Sequence, residues 1–192
     1  MSIVIRDFER EDIPQIAEIH YKYLKLGLLS RLGESFLQRF YKSLLKNSNT
    51  FTLVAVDDSQ IVGFVTGAMN LRTIPRTMIY NLWFPAAVAV AKRPAIIAKL
   101  IKTFFYPSFR ENKKVGEIFS LVVIPSYRKH GIGAKLVKSC QKEFKKRGCK
   151  NYQVSVREKM VGANQFYQKL NLKKRHSTEF LGEEINFYGT NS

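Results

Sequence analysis

One stretch of the sequence combines the residue types needed to bind an anion. Residues 122–137 read VVIPSYRKHGIGAKLV, in which apolar strand-forming residues lead through basic residues and Gly-Ile-Gly into an amphipathic run. Gly131 and Gly133 carry no Cβ atom, so backbone N–H groups there can approach a ligand closely. Arg128 and Lys129 add positive charge beside the positive end of the predicted helix dipole. The stretch therefore predicts a phosphate site, although the same two glycines would also suit a tight turn that binds nothing.

Other side chains that commonly do chemistry are sparse. His20, His130 and His176 are scattered, so we expect no metal site and expect each histidine at the surface or at the edge of the core. Cys140 and Cys149 lie outside any metal-ligand or CxxC spacing, and we expect no disulfide. Cys140 could be proposed as a nucleophile, but its place on the inward face of a predicted helix favours a role in the core.

Strands and helices alternate around the anion-binding stretch. Period-two and period-3.6 patterns of apolar residues, together with turn residues, locate these elements. The predicted strands lie at residues 3–8, 50–56, 61–69, 117–124 and 151–156, with a final hairpin from 172–175 and 184–189. The predicted helices lie at residues 11–24, 34–47, 132–147 and 162–170. The strand at 117–124 is almost continuously apolar, which is typical of a buried central strand, and it leads directly into the anion-binding stretch.

The chain carries a formal charge of +17, which is concentrated in two segments. Residues 70–116 hold nine Lys or Arg against Glu111, and residues 128–150 hold nine against Glu143. Such a field attracts polyanions, anionic membrane surfaces or phosphorylated small molecules, although a solvated basic face would carry the same charge. Since no nucleic-acid-binding motif accompanies the charge, we expect no specific nucleic acid as a partner.

Residues 70–116 fit the pattern of strands and helices least well. The chain of 192 residues suits a single domain, so we interpret this segment as a basic amphipathic insert within it. After Pro94 the apolar side chains of residues 96–105 form one stripe, and no run is long enough to span a bilayer. The stripe could pack on the sheet, on a second subunit or on a membrane surface. The sequence leaves open whether the segment is a lid, a dimer contact or a peripheral membrane contact. It also leaves open whether the protein is a monomer or a homodimer.

The order of elements and the motif Arg128-x-x-Gly131-x-Gly133 together resemble the GNAT superfamily of acetyl-CoA-dependent N-acetyltransferases. The segment GANQFYQKLNL, residues 162–172, follows the motif at the distance typical of that superfamily. The resemblance implies an α/β fold of the α+β kind, with a central mixed, mostly antiparallel sheet splayed at the fourth strand. It also implies helices on both faces of the sheet and a helical insert before the fourth strand.

The resemblance further implies which residues bind acetyl-CoA, the expected co-substrate. Backbone groups on the exposed edge of the fourth strand would pair with the pantetheine arm, and a backbone N–H there would stabilise the oxyanion formed in acyl transfer. The diphosphate would lie at the start of the following helix, and Asn164 would also contact the cofactor. We call residues 128–134, which would surround the diphosphate, the cradle. The implied residues are Leu121, Val122 and Val123 on the strand, and Arg128, Lys129, His130, Gly131, Ile132, Gly133 and Ala134 in the cradle.

Two residues are candidates for catalysis. Tyr167 matches the tyrosine that, in the superfamily, protonates the leaving thiolate, and a phenol with a pKa of about 10 can donate at neutral pH. The alternative for Tyr167 is an ordinary tyrosine at the edge of the core. Glu117 is the best-placed carboxylate to take a proton from an ammonium acceptor. The alternative is that water or a backbone carbonyl serves, with Glu117 at a solvated strand end.

The sequence therefore predicts an enzyme that moves an acetyl group from acetyl-CoA to an amine by direct attack, without a metal. The expected acceptor is a small molecule, an amino sugar or a nucleotide-linked sugar, and the positive charge favours an anionic one. The alternative acceptor is a protein N-terminus or a lysine. A different class of function is a basic module that binds nucleic acid or a membrane surface. The polar start MSIVIRDFERED does not resemble a signal peptide, so we expect a cytoplasmic protein.

Overall fold

The computed structural model of the chain describes residues 2–25, 29–70 and 115–190. Most of the predicted insert, residues 71–114, lies outside the described residues. The strands are β1 (Val4–Asp7), β2 (Thr50–Asp57), β3 (Gln60–Ala68), β4 (Gly116–Val123), β5 (Tyr152–Arg157), β6 (Lys173–Phe180) and β7 (Glu183–Gly189). The helices are α1 (Ile13–Tyr23), α2 (Glu34–Leu45), α3 (Ile132–Lys146) and α4 (Val161–Lys169). Short 3-10 turns lie at Arg10–Asp12, Leu29–Leu32 and Pro125–Tyr127.

The seven strands form one sheet in the order β1-β2-β3-β4-β5-β7-β6. All neighbouring pairs are antiparallel except β4 and β5, which are parallel. These two strands pair only over residues 116–118 against 152–154, and they part beyond Ile118 and Val154. We call the gap between residues 119–123 of β4 and 155–157 of β5 the fork. The mixed, mostly antiparallel sheet splayed at the fourth strand is therefore confirmed.

A β-bulge lies in β4 at the mouth of the fork. Thr66 of β3 pairs with Ser120, and the next residue, Gly67, pairs with Ile118, so Phe119 has no partner in the β3 register. A bulge of this kind bends its strand and redirects the residues beside it. It occurs where β4 leaves β5, so the bend and the parting of the two strands coincide.

Each face of the sheet carries its own hydrophobic cluster. On one face, α3 and α4 pack over side chains that include Ile118, Val154 and Val156. On the other face, α1 and α2 pack over Phe64 and Val122. The extra residue at the bulge shifts the alternation of side chains along β4, so Ile118 and Val122 point to opposite faces and β4 contributes to both clusters. The strand that borders the fork is therefore fixed from both sides of the sheet.

His20 is buried, contrary to the expectation of a surface or core-edge position. It is 3% exposed on α1, and its Nδ1 atom lies 2.7 Å from the Tyr41 hydroxyl on α2. Side-chain hydrogen bonding to Ser120 of β4 and Thr66 of β3 partly offsets the rise in the pKa of Tyr41 that its burial causes. Burial lowers the pKa of His20 to about 4, so the ring is neutral at pH 7. The Tyr41 hydroxyl on α2 gives the imidazole a hydrogen-bond partner, which explains why His20 can lie in the core.

Candidate active site

The start of α3 offers several hydrogen-bond donors to an anion. Lys129 and Gly131 have φ values of 65° and 76°, and Gly131 is the N-cap residue of the helix. The first helical hydrogen bond runs from the Lys135 N–H to the Gly131 carbonyl, at 3.0 Å. The N–H groups of residues 132–134 precede that bond, so the helix itself does not use them. The side chains of residues 128–130 are exposed beside them. This arrangement fits a diphosphate group.

The two glycines of the motif meet different needs. Gly131 has a left-handed backbone, and no atom of the described residues lies within 4 Å of where its Cβ would be. At Gly133, an added Cβ would lie 3.2 Å from the ring of Phe166 on α4 and 3.8 Å from the side chain of Val123. The sequence suggested close approach of a ligand as the reason for both glycines. That approach stays a prediction, and the structure adds a left-handed backbone at Gly131 and packing against Phe166 at Gly133.

The edge of β4 that faces the fork presents backbone groups at alternate residues. The Ile124 N–H donates to the Val62 carbonyl at 3.0 Å, and Val123 pairs with Gly63. The alternation of an antiparallel strand then turns the backbone of Val122 toward β3, while Leu121 and Val123 turn theirs toward the fork. The expected pairing of all three residues with a ligand is corrected at Val122, whose backbone groups serve the sheet. Arg128 Nε donates to the Val123 carbonyl at 2.9 Å and ties the cradle to this edge.

Glu117 lies on β4 at the base of the fork and is buried. It is 2% exposed, which excludes the solvated strand end considered from the sequence. Gln153 Nε2 donates to its Oε2 atom at 3.2 Å, and Ser155 Oγ donates to its Oε1 atom at 3.1 Å. Ser155 follows Val154, the last β5 residue paired with β4, and is half-buried. Two neutral donors on β5 therefore hold the carboxylate at the point where the strands part.

Tyr167 belongs to the opposite face of the sheet. It is a buried residue of α4, and it packs in the same cluster as Val154 and Val156 of β5. Because Gln153 and Ser155 alternate with these valines along β5, the side chains bonded to Glu117 point to the other face. Burial raises the pKa of Tyr167, so the phenol stays protonated at neutral pH. The protonated phenol and the Glu117 carboxylate therefore lie on opposite faces of the sheet.

Asn164 has a structural role that the sequence did not indicate. Its Nδ2 atom donates to the carbonyls of Arg157 at 2.9 Å, Glu158 at 3.2 Å and Met160 at 2.9 Å. Its Oδ1 atom accepts from Asn186 Nδ2 at 3.0 Å and from the Tyr188 hydroxyl at 2.9 Å. The amide therefore fixes the loop between β5 and α4 against β7. Its contact with the cofactor stays a prediction.

Sequence reasoning missed three residues that the structure brings to this region: Phe119, Ser155 and Phe166. The bulge at Phe119 depends on pairing with β3 and has no local sequence signal. Ser155 could have been found, because Gln153 and Ser155 are polar residues at alternate positions of an otherwise apolar strand. Phe166 has no local sequence signal, because its contact with Gly133 joins residues that are far apart in sequence.

Clusters of metal ligands and membrane-spanning helices are both absent from the part of the chain that the structure describes. Within residues 2–25, 29–70 and 115–190, no three His, Cys, Asp or Glu side chains group together as metal ligands would. Both cysteines are buried and unbridged, and Cys140 packs in the core as expected from its helical position. Among the described helices, none has the length and apolar character needed to cross a membrane.

Comparison with known proteins identifies the family. The model of the Acetyltransferase (GNAT) family matches residues 13–172. An uncharacterised N-acetyltransferase of Archaeoglobus fulgidus is 25% identical over 174 residues, which cover 90% of this chain and 95% of that protein.

Solved structures share the fold at lower identity. The PaiA N-acetyltransferase of Thermoplasma acidophilum, in complex with coenzyme A, has a TM-score of 0.64 at 18% identity, covering 97% of this chain and 98% of that one. NAA60 of Arabidopsis thaliana, in complex with acetyl-CoA, has a TM-score of 0.63 at 16% identity, covering 98% of both chains. At this identity the likeness concerns the fold alone, and the family match carries the assignment. The chain therefore belongs to the GNAT family of acetyltransferases.

Proposed function

We propose that this acetyltransferase moves an acetyl group from acetyl-CoA directly to the amine of a small-molecule acceptor. The observation that carries the proposal is the fork, which separates the Glu117 carboxylate on one face of the sheet from the Tyr167 phenol on the other. Direct transfer needs a base on the side of the incoming amine and an acid on the side of the leaving thiolate. The two faces of the fork supply one of each.

The residues that would hold acetyl-CoA lie along one continuous path. Its thioester supplies an activated acetyl group and a thiolate leaving group. The free N–H groups at the start of α3, with the exposed side chains of residues 128–130, suit its diphosphate. The backbone groups of Leu121 and Val123 face the fork and suit its amide-bearing arm. That the two solved neighbours hold coenzyme A or acetyl-CoA supports the same ligand here.

Glu117 and Tyr167 take the proton-transfer roles in this proposal. Glu117 removes a proton from the acceptor's ammonium group, and Gln153 and Ser155 keep the carboxylate oriented for that step. Tyr167 donates its proton to the departing sulfur, because burial keeps the phenol protonated. A backbone N–H of β4 at the fork stabilises the oxyanion that forms as the amine attacks. Placing acid and base on opposite faces keeps the two proton transfers apart.

The burial of Glu117 supports a small acceptor. A carboxylate that is 2% exposed does not lie in an open groove of the kind that holds a peptide, which favours a small molecule as the acceptor. The net charge of +17 favours an anionic acceptor. A phosphorylated amino sugar or a nucleotide-linked amino sugar meets both conditions and is the class that we propose.

A panel of acceptors tests this proposal. Release of coenzyme A from acetyl-CoA would be followed with a thiol reagent in the presence of glucosamine 6-phosphate, a UDP-linked amino sugar, a peptide with a free N-terminus and a lysine peptide with a blocked N-terminus. Faster turnover with an amino sugar, abolished in Glu117→Gln, is the expected result. Turnover confined to the peptides would contradict the small-molecule proposal and favour protein acetylation, which is the alternative.

A further inference from the structure

Gly133 borders a space that a side chain from another helix fills. A Cβ at this position would lie 3.2 Å from Phe166 Cζ and 3.3 Å from Phe166 Cε2. Carbon atoms prefer separations of about 3.5–4.0 Å, so even a methyl group would push on the ring. We call the space beside the Gly133 Cα, which Val123 borders and the Phe166 ring occupies, the notch. The notch is occupied by protein.

Three parts of the proposed acetyl-CoA site meet at the notch. Gly133 belongs to the start of α3, where the diphosphate is proposed to bind. Val123 ends the β4 edge that faces the fork, and its side chain lies 3.8 Å from the Cβ position of Gly133. Phe166 lies on α4 immediately before Tyr167, and the two rings pack edge to face with centroids 5.0 Å apart. A displacement of Phe166 would therefore also displace Tyr167.

We infer that Phe166 is a positioning residue that fills the notch and thereby sets the distance between the diphosphate cradle and Tyr167. This inference rests on the proposed function. Coenzyme A carries its diphosphate and its sulfur at opposite ends of one arm of limited length, so both ends engage only when that distance matches the arm. Gly133 is then required to admit Phe166, whereas Gly131 is required for its backbone conformation.

A double-mutant cycle tests the packing role, with the Kd of coenzyme A measured by calorimetry. Gly133→Ala is expected to weaken binding about tenfold, because the new methyl group displaces Phe166 and the cradle. Phe166→Leu in the Gly133→Ala background removes the clashing ring atoms and is expected to restore most of the affinity. Gly162→Ala is the matched control on α4, because nothing in the described part of the chain lies within 4 Å of its Cβ position. It is expected to bind coenzyme A as the wild type does.

A fragment of the ligand tests the spacing role without altering Gly133. The compound 3′-phosphoadenosine 5′-diphosphate carries the diphosphate but lacks the pantetheine arm, so it depends on the cradle alone. Phe166→Leu is expected to leave the Kd of this fragment unchanged and to weaken coenzyme A several-fold. A residue that only stabilised the fold would change the two affinities in parallel.

Each outcome decides the question. If the double variant bound coenzyme A as weakly as Gly133→Ala, the glycine would be needed by the ligand itself and the inference would be overturned. Wild-type affinity in Gly133→Ala, or equal losses for the fragment and coenzyme A in Phe166→Leu, would also overturn it. Failure of the wild-type protein to bind coenzyme A would overturn the proposed function as well, so the two failures are distinguishable. Thermal unfolding of each variant would check that it folds.

Discussion

Glu117 and Tyr167 are both withdrawn from water, and burial has a different consequence for each. Burial favours the neutral form of a phenol, which is the form that donates a proton. A buried carboxylate needs hydrogen-bond donors, and Gln153 and Ser155 supply one to each oxygen of Glu117. The local environments of the two residues therefore match the acid and base roles that we propose for them.

Removing the Tyr167 hydroxyl tests its proposed role as the acid. Tyr167→Phe is expected to lower kcat by about 10²-fold, because the ring still packs while the proton donor is lost. The Kd of acetyl-CoA, measured by calorimetry, should stay within a factor of about two, since the cradle is untouched and the ring at position 167 keeps its place. Wild-type kcat under conditions where chemistry limits the rate would show that Tyr167 is structural.

Neutralising Glu117 tests its proposed role as the base. Glu117→Gln is expected to lower kcat/KM by about 10²-fold or more. In Ser155→Ala the carboxylate loses a hydrogen-bond donor that orients it, so kcat/KM should fall several-fold while the Kd of acetyl-CoA stays unchanged. Ser177→Ala, at an exposed position of β6, is the matched control. Wild-type kcat/KM in both Glu117→Gln and Ser155→Ala would assign the proton transfer to another group.

At the scale of elements, local patterns were sufficient wherever neighbouring residues decide the structure. The predicted helix at 132–147 is observed at Ile132–Lys146, because a left-handed glycine precedes it and Gly148, also left-handed, follows it. The strands predicted at residues 50–56 and 61–69 form a hairpin, with Asp58 and Ser59 of its turn at φ values of 43° and 71°. The final hairpin is longer than predicted, since β6 extends to Phe180. The prediction stopped short because the mostly exposed, polar residues of β6 carry no apolar alternation.

The start of α3 supplies a prediction with a matched control. Gly131 and Gly148 both have a φ of 76°, and neither has a described atom within 4 Å of its Cβ position. Replacing either with alanine is expected to lower the free energy of unfolding by about 1–2 kcal/mol, the usual cost of a left-handed residue with a Cβ. Only Gly131→Ala is expected to weaken the binding of coenzyme A, measured by calorimetry. The two variants are expected to lose similar stability, so a difference in binding would not come from unfolding. Equal Kd values of coenzyme A for the two variants would contradict the proposal that the cradle binds the diphosphate.

At the scale of the whole molecule, a buried polar group links both helices of one face to the sheet. The Tyr41 hydroxyl on α2 meets His20 of α1, Ser120 of β4 and Thr66 of β3. Thr52 of β2 extends the chain of hydroxyls, because its Oγ1 donates to Thr66 Oγ1 at 3.2 Å. Ser120 follows the bulge at Phe119, so this network supports the strand that borders the fork. A charged His20 would put a buried charge into this network.

This burial predicts how stability depends on pH. Unfolded His20 takes up a proton near pH 6.5, whereas the folded protein does so only near pH 4. Between these values the unfolded state binds more protons, so His20 lowers the free energy of unfolding as the pH falls, by up to about 1.4 kcal/mol per pH unit. Above pH 6.5 its contribution is constant. Denaturant unfolding from pH 4 to 8 should therefore show a shallower acidic slope for His20→Gln than for the wild type.

The matched control for that comparison is His130→Gln, at an exposed position. It is expected to keep the steep acidic slope of the wild type. If His20→Gln and the wild type showed the same slope, other groups would account for the acid sensitivity.

The sequence by itself determined the family, the order of the elements and the glycine turn that begins α3, because each depends on residues that are neighbours in the chain. Glycines at fixed spacing, alternating apolar residues and a basic cluster act locally, so they can be interpreted from the sequence alone. Only the tertiary structure decided the bulge at Phe119, the burial of Glu117 between Gln153 and Ser155, and the contact of Gly133 with Phe166. Each of these joins residues from different elements, and the packing and register that bring them together depend on the whole sheet.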